Sequence, residues 1–126
     1  MANTHRIFIS FAAEDIRYRD FLVGQARNDR SPFNFTDMSV KQPWDSSWKA
    51  SCRTKIKGCD GLIALVSKNT PKADGAIWEV AAAKEEGVPI LGIWISGSDR
   101  TMIAGIPSTK MKAWTWDNIK AFLGSL

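Results

Sequence analysis

Short unbroken apolar runs separated by amphipathic stretches set the pattern of this chain. Residues 6–11 (RIFISF), 33–37 (FNFTD), 61–67 (GLIALVS) and 89–95 (PILGIWI) are short, apolar and rich in β-formers, which reads as buried strands. The third run is apolar throughout, the signature of a central strand buried on both faces of a parallel sheet. Between the runs the period changes to that of a helix. Residues 15–28 place Ile16, Phe21, Leu22 and Ala26 roughly on one face, with Glu14 or Asp15 at the start. Residues 47–57 carry a stripe of Trp48, Cys52, Ile56 and Cys59, with Asp45 or Ser46 as cap and Gly58 as stop. Asp74 is placed to cap a helix over residues 75–86 that Gly87 closes. Residues 38–47 read as a long loop, and residues 96–110 as another with room for an extra turn. Residues 111–116 (MKAWTW) alternate like an edge strand with Trp114 and Trp116 on one face. A last helix follows over residues 118–126, capped by Asp117.

Strand and helix therefore alternate, which predicts an α/β fold: a flavodoxin-like, doubly wound parallel sheet of five strands with helices on both faces. The length of 126 residues is that of a single domain over 1–126. No repeat, low-complexity tract or linker interrupts it. Hydrophobic content of 44% and charged content of 24% place the chain among globular proteins. The apolar runs are too short to span a membrane, and the N-terminus lacks a signal-peptide layout, so the expected location is the cytoplasm. The net charge of +4 is spread along the chain, and no nucleic-acid partner is expected from it. Its one cluster, Lys49, Arg53 and Lys57, shares a helix face and reads as solvated. Cys52 and Cys59 read as reduced, buried thiols; with one histidine, His5, read as a surface residue, the chain offers no closed metal site.

Several catalytic motifs are missing. There is no GxGxxG after the first strand, no GxxxxGK[ST] and no GxSxG. A phosphate-accepting receiver would need an aspartate at the end of the third strand, where Val66, Ser67 and Lys68 stand. One carboxylate does stand out. Glu79 lies in the first turns of the third helix, near the carboxyl ends of the strands, where parallel sheets bind ligands. Glu85 and Glu86 lie ~9–10 Å further along the helix axis, toward the opposite end of the sheet, and read as solvated. The plain role for Glu79 is a first-turn acid favouring the helix dipole.

The segments RIFISFAAED, KIKGCDGLIALVS and AIWEVAAAKEEGVPILGIW together resemble the TIR and TIR-like family over roughly residues 5–96. FLVGQARNDRSPFNFTDMSVKQPW points to the branch that includes the signal-producing subunit of Thoeris antiphage systems. The resemblance implies that Glu79 is the catalytic glutamate of an NAD⁺ nucleosidase or ADP-ribosyl cyclase. NAD⁺ is then the substrate, with no prosthetic group and no metal. Nicotinamide leaves neutral, so the chemistry needs a carboxylate beside an oxocarbenium-like ribose more than a general acid. Water, an internal nucleophile or another small molecule as acceptor gives ADP-ribose, a cyclic isomer or a conjugate. The implied partners are a second copy of the chain and a separate effector reached through the diffusible nucleotide.

Topology places further cleft residues at the ends of the first two strands: Ser10, Phe11 and Ala12, then Asp37 and Ser39. Trp44 belongs to the following loop, and Phe11 and Trp44 could stack on a flat ring. Many family members have a tryptophan four residues before the glutamate. Here Gly75 holds that place and Trp78 directly precedes Glu79, leaving Trp78 with two readings, packing and cofactor contact. Two rivals remain: a non-catalytic TIR-type interaction module, and a nucleoside deoxyribosyltransferase-like enzyme.

Overall fold

The computed structural model describes residues 5–28, 33–36 and 48–126. Among these, the strands are β1 His5–Ser10, β2 Phe33–Thr36, β3 Gly61–Val66, β4 Ile90–Trp94 and β5 Met111–Ala113. The helices are α1 Ile16–Asn28, α2 Trp48–Lys57, α3 Asp74–Glu85 and α4 Trp116–Gly124. The sheet order is β2-β1-β3-β4-β5 and every pairing is parallel. The expected flavodoxin-like sheet is therefore the one observed. Its strand order reverses between β1 and β3, so the crevice at their carboxyl ends is the topological switch point.

Strand alternation divides the core in two. Phe8, Leu62, Ala64 and Val66 face α2 and α3, where they meet Cys52, Ile56, Val80 and Ala83. Ile7, Ile9, Ile63, Leu65 and Ile93 face the other way, onto Leu22, Ile119 and Leu123 of α1 and α4. Every residue of β3 is buried, which accounts for its unbroken apolar sequence. The Cys-Asp pair before β3 has a local purpose. Asp60 Oδ2 accepts from Arg6 N at 2.8 Å while Asp60 N donates to Arg6 O at 2.8 Å, fastening the entry of β3 to β1.

The α3 segment ends in a left-handed glycine. Gly87 has φ 72°, and Val88 N donates to Ala83 O at 2.9 Å, the six-to-one bond of a Schellman cap.

The structure corrects several local expectations. Asp74 is the first helical residue of α3 rather than its cap; Ala73 stands at the cap position without a side-chain bond. β5 stops at Ala113, and Trp116 opens α4. The cap there is Thr115, whose side chain accepts from Asn118 N at 3.1 Å, so Asp117 lies inside the first turn. A two-residue period and a helical start cannot be told apart over six residues, and the cap decides.

In α1, Leu22 is buried, but Phe21 is 67% exposed and Ile16 48%. The inward stripe is narrower than the sequence pattern implied. The expected solvated face of α2 is an ion-pair seam. Arg53 reaches Glu86 at 3.0 Å and Glu85 at 3.1 Å, and Lys57 lies 3.9 Å from Glu86. Glu86, then Glu85, hold the Arg53 guanidinium above its ordinary pKa. The loop over residues 38–47 and its caps Asp45 and Ser46 lie outside the described residues.

Candidate functional site

The site begins with the last residue of β1. Ser10 points to the α2–α3 side of the sheet and is 1% exposed. Its Oγ lies 2.8 Å from Glu79 Oε1 and 3.3 Å from Ala76 O. A hydroxyl has one proton, and the shorter contact, to a carboxylate, is the stronger place for it. Glu79 is 0% exposed. Its other oxygen, Oε2, lies 3.8 Å from Cys52 Sγ, a weak thiol donor on the buried face of α2. Among the described residues, three elements converge on this carboxylate: β1 through Ser10, α2 through Cys52, and α3, which carries Glu79.

A second buried carboxylate lies nearby in the fold. Asp15 ends a 3-10 turn, Ala13–Asp15, between β1 and α1, and is 3% exposed. Ser67 Oγ donates to Asp15 Oδ2 at 2.6 Å, and Asn69 Nδ2 donates to Oδ1 at 3.1 Å. The donors belong to the loop after β3. That loop is braced internally by Ser67 N to Thr70 Oγ1 at 2.9 Å and Asn69 N to Ser67 Oγ at 3.0 Å. It is also held from the loop after β4, where Asp99 Oδ2 accepts from Lys68 N at 2.8 Å.

The other sequence candidates scatter. Phe11 follows Ser10 and so falls on the opposite face of the sheet, as alternation requires. It is 1% exposed, packs with Ile9 and Leu22, and lies 5.7 Å from the Arg19 guanidinium carbon. Its ring is core, separated from Glu79 by the sheet. Ala12 is buried beside it. Trp78 is turned by one helical step from Glu79 to the outer face of α3. There it lines a groove of about 660 Å³ with Lys49, Asp74, Ile77 and Ala81. Lys49 Nζ lies 5.9 Å and Arg53 Cζ 5.4 Å from the centre of its ring. Asp37, Ser39 and Trp44 lie outside the described residues.

The model of the family described as Thoeris protein ThsB, TIR-like domain, matches residues 8–100. The chain belongs to that family. The match to the ThsB TIR-like family runs from β1 past β4 and includes Ser10, Asp15, Cys52, Ser67 and Glu79. No curated protein matches the chain. Among solved structures, 22 chains match. One is the crystal structure of a prokaryotic SEFIR domain, with a TM-score of 0.55 and 11% identity, covering 97% of this chain and 89% of that one. At that identity the likeness concerns the fold alone.

Sequence reasoning about this ThsB-family domain missed Cys52 as a neighbour of Glu79 and Asp15 as more than a helix-start residue. A signal existed for each. Cys52 lies on the inward stripe of α2, and the polar run Ser67-Lys68-Asn69-Thr70 follows an otherwise apolar strand. Within that run Ser67 and Thr70 are buried, and buried polar groups need partners; Asp15 is the partner of Ser67.

Proposed function

We propose that this chain is a TIR-like NAD⁺ glycohydrolase or cyclase of antiphage defence, with Glu79 as its catalytic carboxylate. The observation that carries the reading is the buried Glu79 at the switch-point end of the sheet, gripped by Ser10 in a chain of the Thoeris ThsB family. A carboxylate withdrawn from water stabilises a developing positive charge far better than an exposed one. In NAD⁺ that charge grows on the ribose carbon as the bond to nicotinamide stretches. Nicotinamide leaves as a neutral base, so the site needs no acid to protonate it. Glu79 would accept hydrogen bonds from ribose hydroxyls, exchanging them for donors such as the Ser10 hydroxyl. Because Glu79 is 0% exposed, substrate entry requires the side chains around it to part. The ADP-ribose product, linear, cyclic or conjugated, then acts on a separate effector.

The test is nicotinamide release from NAD⁺ at high protein concentration, with and without infected-cell lysate. Wild type is expected to release nicotinamide, and Glu79→Gln to do so at least ~100-fold more slowly. Equal release by both proteins removes Glu79 from the chemistry.

A second reading, a TIR-type interaction module, is favoured by one observation besides the burial of Glu79. Tyr18, the 67%-exposed Phe21, Ile95 and Trp114 line an apolar groove of about 380 Å³ on the far side of the sheet. No release from wild type under any of these conditions favours that module.

A further inference from the structure

We propose that Asp15 is a positioning residue for Glu79, holding the loop that leads into α3 in the register at which Ser10 meets the glutamate. The kinetic part of the proposal rests on the catalytic reading of Glu79; the structural part does not.

The argument starts from two attachments made by one short stretch of chain. Ser10 and Asp15 are five residues apart at the carboxyl end of β1. Ser10 grips α3 itself, at Glu79 Oε1 and beside Ala76 O. Asp15 grips the chain entering α3, taking Ser67 Oγ on one oxygen and Asn69 Nδ2 on the other. Two donors from alternate residues of one loop, each on a separate carboxylate oxygen, fix the loop against both sliding and rotation. The restraint passes along a continuous path of bonds. Thr70 N donates to Ser67 O at 3.1 Å, Ala73 N to Thr70 O at 2.9 Å, and Ile77 N to Ala73 O at 3.0 Å. Glu79 lies half a turn beyond Ile77.

With both grips in place, α3 is tied to the end of β1 at Glu79, and the loop leading into α3 is tied to the 3-10 turn after β1 at Ser67 and Asn69. Without Asp15, α3 keeps its core packing through Val80 and Ala83, but the loop entering it loses both side-chain bonds to the turn after β1. Among the described residues it is then held from outside only at Lys68 N by Asp99. A carboxylate that must face a ribose carbon tolerates little displacement, since a misplacement of ~1 Å can cost ~100-fold in rate. Burying Asp15 at 3% exposure is costly for a carboxylate. That cost is offset by the two donors, and the result is a tie across the switch point between β1 and β3.

The experiment compares Asp15→Ala and Asp15→Asn with wild type and Glu79→Gln, by NAD⁺ kinetics and by amide hydrogen exchange over residues 67–79. Asparagine keeps an acceptor for Ser67, and the Asn69 amide can turn its oxygen to meet the new amino group. Asp15→Ala is expected to lower kcat ~10–100-fold while KM changes less than ~3-fold. Its amides over residues 67–79 should exchange faster than in wild type. Asp15→Asn should restore both readouts to within a few-fold of wild type. Should Asp15→Ala fail to fold, the Ser67→Ala/Asn69→Ala double variant removes the same two bonds and carries the same expectations. Unchanged exchange over residues 67–79 overturns the proposal, as does unchanged kcat in an active enzyme. If wild type releases no nicotinamide, the catalytic reading fails by itself, and exchange alone decides whether Asp15 positions α3.

Discussion

Glu79 and Ser10 together show how much a single hydroxyl can determine. The carboxylate is fully buried, and its Oε1 takes the Ser10 proton at 2.8 Å. Ser10→Ala removes that hydroxyl from a buried carboxylate, which should cost about 1–3 kcal/mol of stability, read from the urea midpoint at an unchanged m-value. If Glu79 is catalytic, the same variant should also lower kcat for nicotinamide release. A variant as stable as wild type would mean that the carboxylate finds a replacement donor. At this scale the sequence is informative about position more than partnership. A glutamate soon after an apolar strand and loop marks the carboxyl end of the sheet, so the location of Glu79 could be read directly. Ser10 and Phe11 could both be placed at the end of β1, but only the phase of the strand decides which of the two faces α3. Asp15 was harder still. An aspartate before a helix looks the same in sequence whether it caps the helix or is buried under Ser67 and Asn69, because the donors lie 52 and 54 residues away.

Between elements, the seam of α2 and α3 joins charge to packing. The Arg53 guanidinium bridges Glu85 and Glu86 while its carbon lies 5.4 Å from the Trp78 ring centre. The pairs are partly exposed and screened by water, so their contribution to stability should be small. Arg53→Met keeps an apolar stem beside Trp78 and loses the ion pairs together with the guanidinium's contact with the ring. It should therefore be less destabilised than Arg53→Ala, and only the ion-pair part should fade in high salt. Equal losses in the two variants would show that packing on Trp78 contributes nothing. The sequence identified this face as basic but not as paired. The spacing Lys49, Arg53, Lys57 gives one helix face, and the carboxylates that meet it come from another helix. The boundaries of β5 and α4 were unclear for a similar reason. Trp114 and Trp116 suit an alternating strand, and only the Thr115 bond to Asn118 N makes Trp116 the start of a helix. Phe21 and Ile16 followed a helical apolar pattern, yet α1 buries Leu22 and leaves both of them exposed.

Over the whole molecule, the order of elements was the most legible property. An all-buried β3 demands helices on both faces, and strict strand–helix alternation leaves few topologies beyond the observed β2-β1-β3-β4-β5. The linkage among the loops at the carboxyl ends is what the order alone does not convey. Asp15 ties the loop after β1 to the loop after β3, and Asp99 ties the loop after β4 to that same loop through Lys68 N. Asp99 also accepts from Thr101 Oγ1 and Thr101 N, and the Thr101 carbonyl takes the Trp94 indole proton at 2.9 Å. The Thr101 bonds, with those of Lys68, hold the Asp99 carboxyl below its ordinary value of 3.8. A carboxyl with a lowered folded pKa favours the folded state once the unfolded chain has ionised, that is, above about pH 4. That contribution declines as pH falls below 3.8 and is gone below the lowered folded value. Other carboxylates titrate in the same range, so the informative quantity is the difference between wild type and Asp99→Asn, in which they cancel. Thermal unfolding between pH 7 and pH 2 should show wild type ahead of the variant at neutral pH, with the two converging in acid. A gap that stays constant across that range would mean that Asp99 holds the loops by shape alone, with its charge contributing nothing.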